Sequence, residues 1–173
     1  MGKFEESKQS GIHKWLNSLE GSWEGITKTW FEPEKLADES PMKGTIKPIL
    51  GGKYIMHEYS STMQGKPYEG ISIYGYDLRY GESAESDARF QAINVDSFHT
   101  GTGIITQEGE PGNKKFSALG HYYWHVSPEE VQKWGWRTEL DLQDDNTLVI
   151  TIYNITPDGQ SAKGVETVYK RVK

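Results

Sequence analysis

The side chains able to do chemistry are few and far apart in the chain. There are 5 histidines, His13, His57, His99, His121 and His125, and no cysteine. Without a thiol there is no cysteine nucleophile, no disulfide framework and no thiolate metal site. Three acids, Glu58, Glu69 and Asp96, stand inside runs of alternating apolar residues rather than in turns. A carboxylate turned into a protein interior must be paired with a cation or carry a raised pKa. Either state can orient a polar ligand or move a proton. Glu58 or Glu69 with His99 or His121 is therefore the acid–base combination to test. The "HYYWH" run (121–125) does not read as a metal site. Two residues four apart on a strand lie about 13 Å from one another, too far for one ion. No metal and no cofactor are expected. Nucleophilic catalysis has little support, because "GxSxG" is missing. "DSFHTG" (96–101) crowds Asp, Ser and His into one segment, whereas a triad converges from several.

Charge narrows the partners. Against 25 Asp and Glu stand 19 Lys and Arg, a net −6. Nucleic acid is not expected, since phosphate binding needs concentrated basic charge. No apolar run approaches membrane length, and "MGKFEESKQSG" lacks the apolar core of a secretion signal. A cytoplasmic location is the expectation, with no membrane partner.

These side chains must be positioned by strands. Residues 1–9 read as frayed. Ile12, Trp15, Leu16 and Leu19 then follow helical spacing, which predicts a helix over about 10–20 that ends at Gly21. From there the period is two. Ten strand-like runs follow: 22–31, 41–49, 53–63, 68–80, 89–97, 100–109, 116–126, 131–143, 147–156 and 161–173. Turn residues separate them, with a charged loop at 32–40 and a surface loop at 81–88. Runs of this length on short turns favour antiparallel neighbours. Closing the meander removes its edges. The fold expected is all-β: a ten-stranded antiparallel up-and-down barrel in one domain, 1–173, with the barrel over about 22–172. The amino-terminal helix caps one end with Trp15, Leu16 and Leu19 turned inward.

"GSWEG", at the head of the first strand, resembles the Gly-x-Trp signature of lipocalin-like (calycin) barrels. That resemblance implies a basic residue of the last strand packed across Trp23. In "TVYKRVK" Arg171 is the natural partner, and guanidinium over indole is worth roughly 0.5–2 kcal/mol. Trp23 and Arg171 are thus expected to close the barrel rather than bind a ligand. The chain is also similar to a bacterial family, domain of unknown function 1579. The resemblance rests on "LEGSWEG", "ILGGKYIMHEYSSTMQGKPYEGISIYGYD", "NVDSFHTG", "QEG" and "ETVYKR", from Leu19 to Arg171. It implies a calycin-like β-barrel and no particular activity.

In "KWGWRTELDL" the set Trp134, Trp136, Thr138, Leu140 and Leu142 is expected to face inward, with Arg137 outside. For 116–126 both faces carry rings, and alternation leaves open which is inner. Tyr122 and Trp124 share a face with Phe116, and His121 and Tyr123 share the other with Leu119. The expected ligand-binding set is Glu58, Glu69, Asp96, His99, His121, Tyr123, Trp134 and Trp136. The expected function is non-covalent binding of a small, partly apolar molecule, hydrophobic or amphipathic, in a cavity above about 300 Å³. One alternative is an enzyme using an interior carboxylate–histidine pair. Another is a barrel with a filled interior that acts by self-association, a homodimer meeting through "HYYWH" and "KWGW".

Overall fold

The computed structural model describes residues 2–81 and 84–173. Two of the residues in the expected 81–88 loop, 82 and 83, lie outside the described residues. The chain begins with two helices, α1 (Lys3–Ser10) and α2 (Ile12–Ser18), and continues as ten strands. These are β1 (Gly21–Glu32), β2 (Lys35–Ile49), β3 (Tyr54–Met63), β4 (Lys66–Asp77) and β5 (Arg89–Asp96). They are followed by β6 (Ile105–Glu108), β7 (Phe116–His125), β8 (Val131–Asp144), β9 (Thr147–Ile155) and β10 (Ser161–Arg171). Each strand pairs antiparallel with its neighbour in sequence, and β1 pairs with β10 to close the barrel.

Three stretches differ from the expectation. Residues 3–10 form a helix rather than a frayed end, although none of them is buried. The Phe4 ring edge meets His13 at 5.0 Å, and the Ser7 hydroxyl lies 2.8 Å from His13 Nδ1. The charged 32–40 loop is mostly strand. β2 begins at Lys35, and irregular register beside Trp30 lets the β1–β2 hairpin extend to a turn at residues 33–34. A bulge of this kind adds twist without ending the pairing. The sixth strand is only Ile105–Glu108, because residues 97–104 turn back on Asp96 instead of extending.

The two barrel ends differ. α2 covers the end where β1 starts and β10 finishes. Leu16 and Leu19 are fully buried there beside Trp23, and Trp15 meets Phe90 edge-on at 6.2 Å. Asn17 Nδ2 donates to the Gly52 carbonyl, fixing the helix to the β2–β3 connection. The other end carries the β1–β2, β3–β4, β5–β6, β7–β8 and β9–β10 turns and, among the described residues, has no helix over it. Trp23 and Arg171 are paired in register. The Arg171 guanidinium carbon sits 4.2 Å from the indole centroid. Its nitrogens donate to the carbonyls of Ser18, Glu20 and Asp145, tying the helix end to the last strand. Among the described residues no helix is long and apolar enough to cross a membrane.

Candidate functional site

Inward positions follow period two along each strand. On β3 they are Ile55, His57, Tyr59, Ser61 and Met63; on β4 Tyr68, Gly70, Ser72, Tyr74 and Tyr76; on β5 Phe90, Ala92, Asn94 and Asp96. The centre of the barrel is therefore rich in rings and hydroxyls. Asn94 accepts from the Ser72 hydroxyl at 2.7 Å and donates to Gln107, whose amide donates to the Trp136 carbonyl at 2.6 Å. This chain crosses from β4 to β8 and leaves the two amides satisfied, as buried polar groups require.

Towards the end without helices, Asp96 closes β5 and organises the turn after it. Its Oδ1 accepts the Phe98 backbone N–H at 2.8 Å and that of His99. Its Oδ2 accepts from the Tyr59 hydroxyl at 3.3 Å and lies 2.9 Å from His99 Nδ1. Thr100 Oγ1 locks the backbone, donating to the Asp96 carbonyl and accepting its N–H. The side chains are 8% exposed for Asp96 and 14% for His99. Burial pushes the Asp96 carboxyl up, but the hydrogen bond and charge of the His99 ring and the backbone N–H groups outweigh it. The carboxyl is held below its usual range and is ionised at neutral pH. Burial, with the charge of Asp96, raises Tyr59 well above its ordinary value, so its hydroxyl keeps its proton and donates.

Gly70 makes this junction possible. It faces Asp96 across the β4–β5 ladder and Tyr59 across β3–β4. A Cβ at Gly70 would stand 2.4 Å from the Tyr59 ring and 2.7 Å from Asp96 Cβ. The missing side chain is the passage through which Tyr59 reaches the carboxylate. Gly44 does the same for the second histidine. A Cβ there would meet the Tyr169 hydroxyl at 2.5 Å and His57 Nε2 at 2.7 Å, two atoms that lie 3.1 Å apart. Burial pushes His57 down to about 3, so it is neutral at pH 7.

These groups surround a partly open cavity of about 40 Å³. Its polar side is His57, Tyr59, Ser72, Asn94, Asp96 and His99; its apolar side is Met42, Tyr74, Trp136, Ile150, Ile152 and Val165. Three rings hold the His99 imidazole in place: Phe98 at 4.8 Å, Trp136 at 5.6 Å and Tyr68 at 5.8 Å. His99 Nε2 and His57 Nδ1 are both buried without a hydrogen-bond partner. The cavity has room for a few water molecules. It falls well short of the 300 Å³ anticipated, because Tyr68, Tyr74, Trp136 and Tyr169 fill the volume that ten strands enclose.

The expected ligand set divides sharply. Asp96, His99 and Trp136 meet at the cavity. Glu58 and Glu69 do not: they sit on the outer faces of β3 and β4, and Glu58 pairs with Lys47 at 2.8 Å. His121 and Tyr123 also point outward, on the face of β7 opposite Phe116, Ala118 and Gly120. Trp134 is half-buried beyond the cavity, stacked on Tyr122 at 6.4 Å. The physical reason is one of phase. Ile71 and Ile73 invite an inward reading of the Glu69 face, yet the tyrosines of the alternate positions fill the barrel and Ile71 is 40% exposed. The expected ligand set omitted His57, Tyr59 and Asn94, which line the cavity. The signal was there in "IMHEYSSTM", where His57 and Tyr59 are in step with Ile55 and Met63. Arg137 lies outside, its guanidinium 4.6 Å from the Tyr153 ring. Among the described residues, no three histidine, aspartate or glutamate side chains converge where they could hold a metal ion.

Two solved structures align with nearly all of this chain. A de novo designed fluorescence-activating β-barrel aligns with a TM-score of 0.43 and 11% identity, over 91% of this chain and 96% of that one. The S-type phycobiliprotein lyase of Guillardia theta aligns with a TM-score of 0.49 and 10% identity, over 100% of this chain and 99% of that one. Among curated proteins none matches. The family model described as "Protein of unknown function (DUF1579)" matches residues 8–171, nearly the whole barrel and the helix that covers it, and the chain belongs to that family.

Proposed function

We infer that this protein binds a small molecule inside the barrel, at the corner formed by Asp96, His99, Tyr59 and His57. One observation carries the reading. Two imidazoles line the same cavity, and each leaves a buried ring nitrogen without a partner. An unsatisfied buried polar atom costs about 1–3 kcal/mol. A guest that satisfies either nitrogen recovers that cost, so the cavity favours a polar group. The opposite wall of Met42, Ile150, Ile152 and Val165 suits a compact apolar body attached to it. The volume favours a guest much smaller than a lipid or pigment.

Native mass spectrometry of the protein purified without denaturation tests this. The expected result is an adduct of low mass that is lost on unfolding. A clean apo mass, together with unchanged His57, His99 and Trp136 resonances across a panel of small polar compounds, would remove the proposal.

A second reading has one specific observation behind it. Asp96 and His99 form an interior carboxylate–histidine pair at 2.9 Å, and His99, whose Nε2 is buried without a partner, is part of the cavity wall. A base oriented by a carboxylate is the arrangement acid–base catalysis uses. A guest recovered chemically unchanged favours binding alone, and a guest converted in a His99-dependent way favours chemistry.

A further inference from the structure

The hydrogen bonds around Asp96 fix which proton His99 carries, and that fixes what the cavity can recognise. Asp96 Oδ1 is taken by the backbone N–H groups of Phe98 and His99. Its Oδ2 receives the Tyr59 hydroxyl and faces His99 Nδ1 at 2.9 Å. An ionised carboxylate only accepts hydrogen bonds. His99 Nδ1 must therefore be the protonated nitrogen, and in the neutral ring Nε2 is left as a lone pair. That lone pair is buried and unpartnered, on a ring that lines the cavity.

We propose that, when the His99 ring is neutral, the barrel selects guests presenting an O–H or N–H donor to His99 Nε2 and rejects carboxylates, with Asp96 acting as the positioning residue that sets the tautomer. This rests on the binding reading above and names the chemistry of its guest. A lone pair beside a buried carboxylate repels an incoming anion or acceptor. The ring-lined walls of Tyr68, Tyr74 and Trp136 favour a small planar donor. The guest class is thus molecules no larger than a single five-membered ring with one donor hydrogen, uncharged or cationic, because the cavity holds only a few waters.

The same geometry predicts an inversion. In Asp96→Asn the two backbone N–H groups still require an acceptor at the Oδ1 position, so the amide oxygen goes there. The amide NH2 then faces His99 Nδ1, which must accept. The ring proton moves to Nε2, and the cavity presents a donor in place of an acceptor. Carboxylate-to-amide changes beside a histidine are known to switch its tautomer in this way.

The experiment uses two five-membered aromatic rings of similar size, pyrrole (donor only) and oxazole (acceptor only), with acetate as the anion. Titrations in mildly alkaline buffer are followed by the ring nitrogen shifts of His57 and His99 and by Tyr59. In the parent protein Nδ1 of His99 is expected to be protonated and Nε2 bare. Pyrrole is expected to bind at least about tenfold more tightly than oxazole, and acetate to leave His99 unmoved. Asp96→Asn is expected to reverse both the tautomer and the preference. His99→Phe, which removes this acceptor but keeps a ring, is expected to weaken the preference for pyrrole to whatever the unpartnered His57 Nδ1 alone supplies. If oxazole matches pyrrole in the parent, donor selection is wrong while binding stands. If Asp96→Asn leaves tautomer and preference unchanged, Asp96 does not set the specificity. If none of the three compounds perturbs these residues, both the selection and the binding reading fall.

Discussion

Lowering the pH from about 7.5 to about 5.5 should cost the fold about 1.4 kcal/mol through His57 alone. In the folded barrel burial pushes its pKa down to about 3, against an ordinary 6.5. Between those values the unfolded chain binds a proton that the folded chain refuses. Stability therefore falls as the pH drops below the unfolded value, by about 1.4 kcal/mol per unit, and the loss levels off only near the folded value. The chosen window keeps most carboxylates ionised in both states, so acid effects at Asp96 contribute little. His13 is also lowered by burial and acts in the same direction. The His57→Gln variant separates the two. Urea unfolding of both proteins at the two pH values gives the comparison. The parent should lose about 1.4 kcal/mol more than the variant, whatever the variant's stability at the higher pH. Equal losses would show that His57 titrates normally, and its role as a neutral group of the cavity wall would be wrong.

Two further changes probe the frame of the site. Trp23→Ala should destabilise by about 3–5 kcal/mol, as loss of a buried indole does. Arg171→Ala should cost about 1–3 kcal/mol through the ring contact and its carbonyl hydrogen bonds. Neither should abolish guest binding at the far end of the barrel, and a denaturant midpoint left unchanged by either would refute the closure reading. Gly70→Ala should cost about 1–3 kcal/mol, because its Cβ would overlap Tyr59 and crowd Asp96. The Tyr59 ring resonances should shift with it, and a Gly70→Ala protein with parental stability and an unmoved Tyr59 would show that the junction has slack.

Much of this barrel is legible along the chain. The change of period after Gly21, ten alternating runs and their turn residues lead to a closed antiparallel meander with a helix over one end. The boundaries misread were those set by contacts at a distance. β2 begins before its apolar pattern because β1 is there to pair with it. β6 begins late because Asp96 captures residues 98–100. The amino-terminal helix packs on His13, which α2 presents to Phe4 and Ser7.

The site was legible in part. Asp96, His99 and Trp136 line the candidate cavity, whereas Glu58, Glu69, His121 and Tyr123 face away. Alternation determines which residues share a face, but not which face is inner when both carry apolar groups. On β4 the choice lay between Ile71 with Ile73 and Tyr68 with Tyr74. The wide barrel takes the larger tyrosines, and their ring contacts with His57, His99 and Phe116 bury them. The sequence by itself determined the strand period, the turns and the ring-rich composition that a wide barrel needs. Only the tertiary structure decided the phase of each strand, the size of the cavity left after the tyrosines pack, and the meeting of Tyr59, Asp96 and His99. Those depend on side-chain volume and on register between strands, neither of which a local pattern encodes.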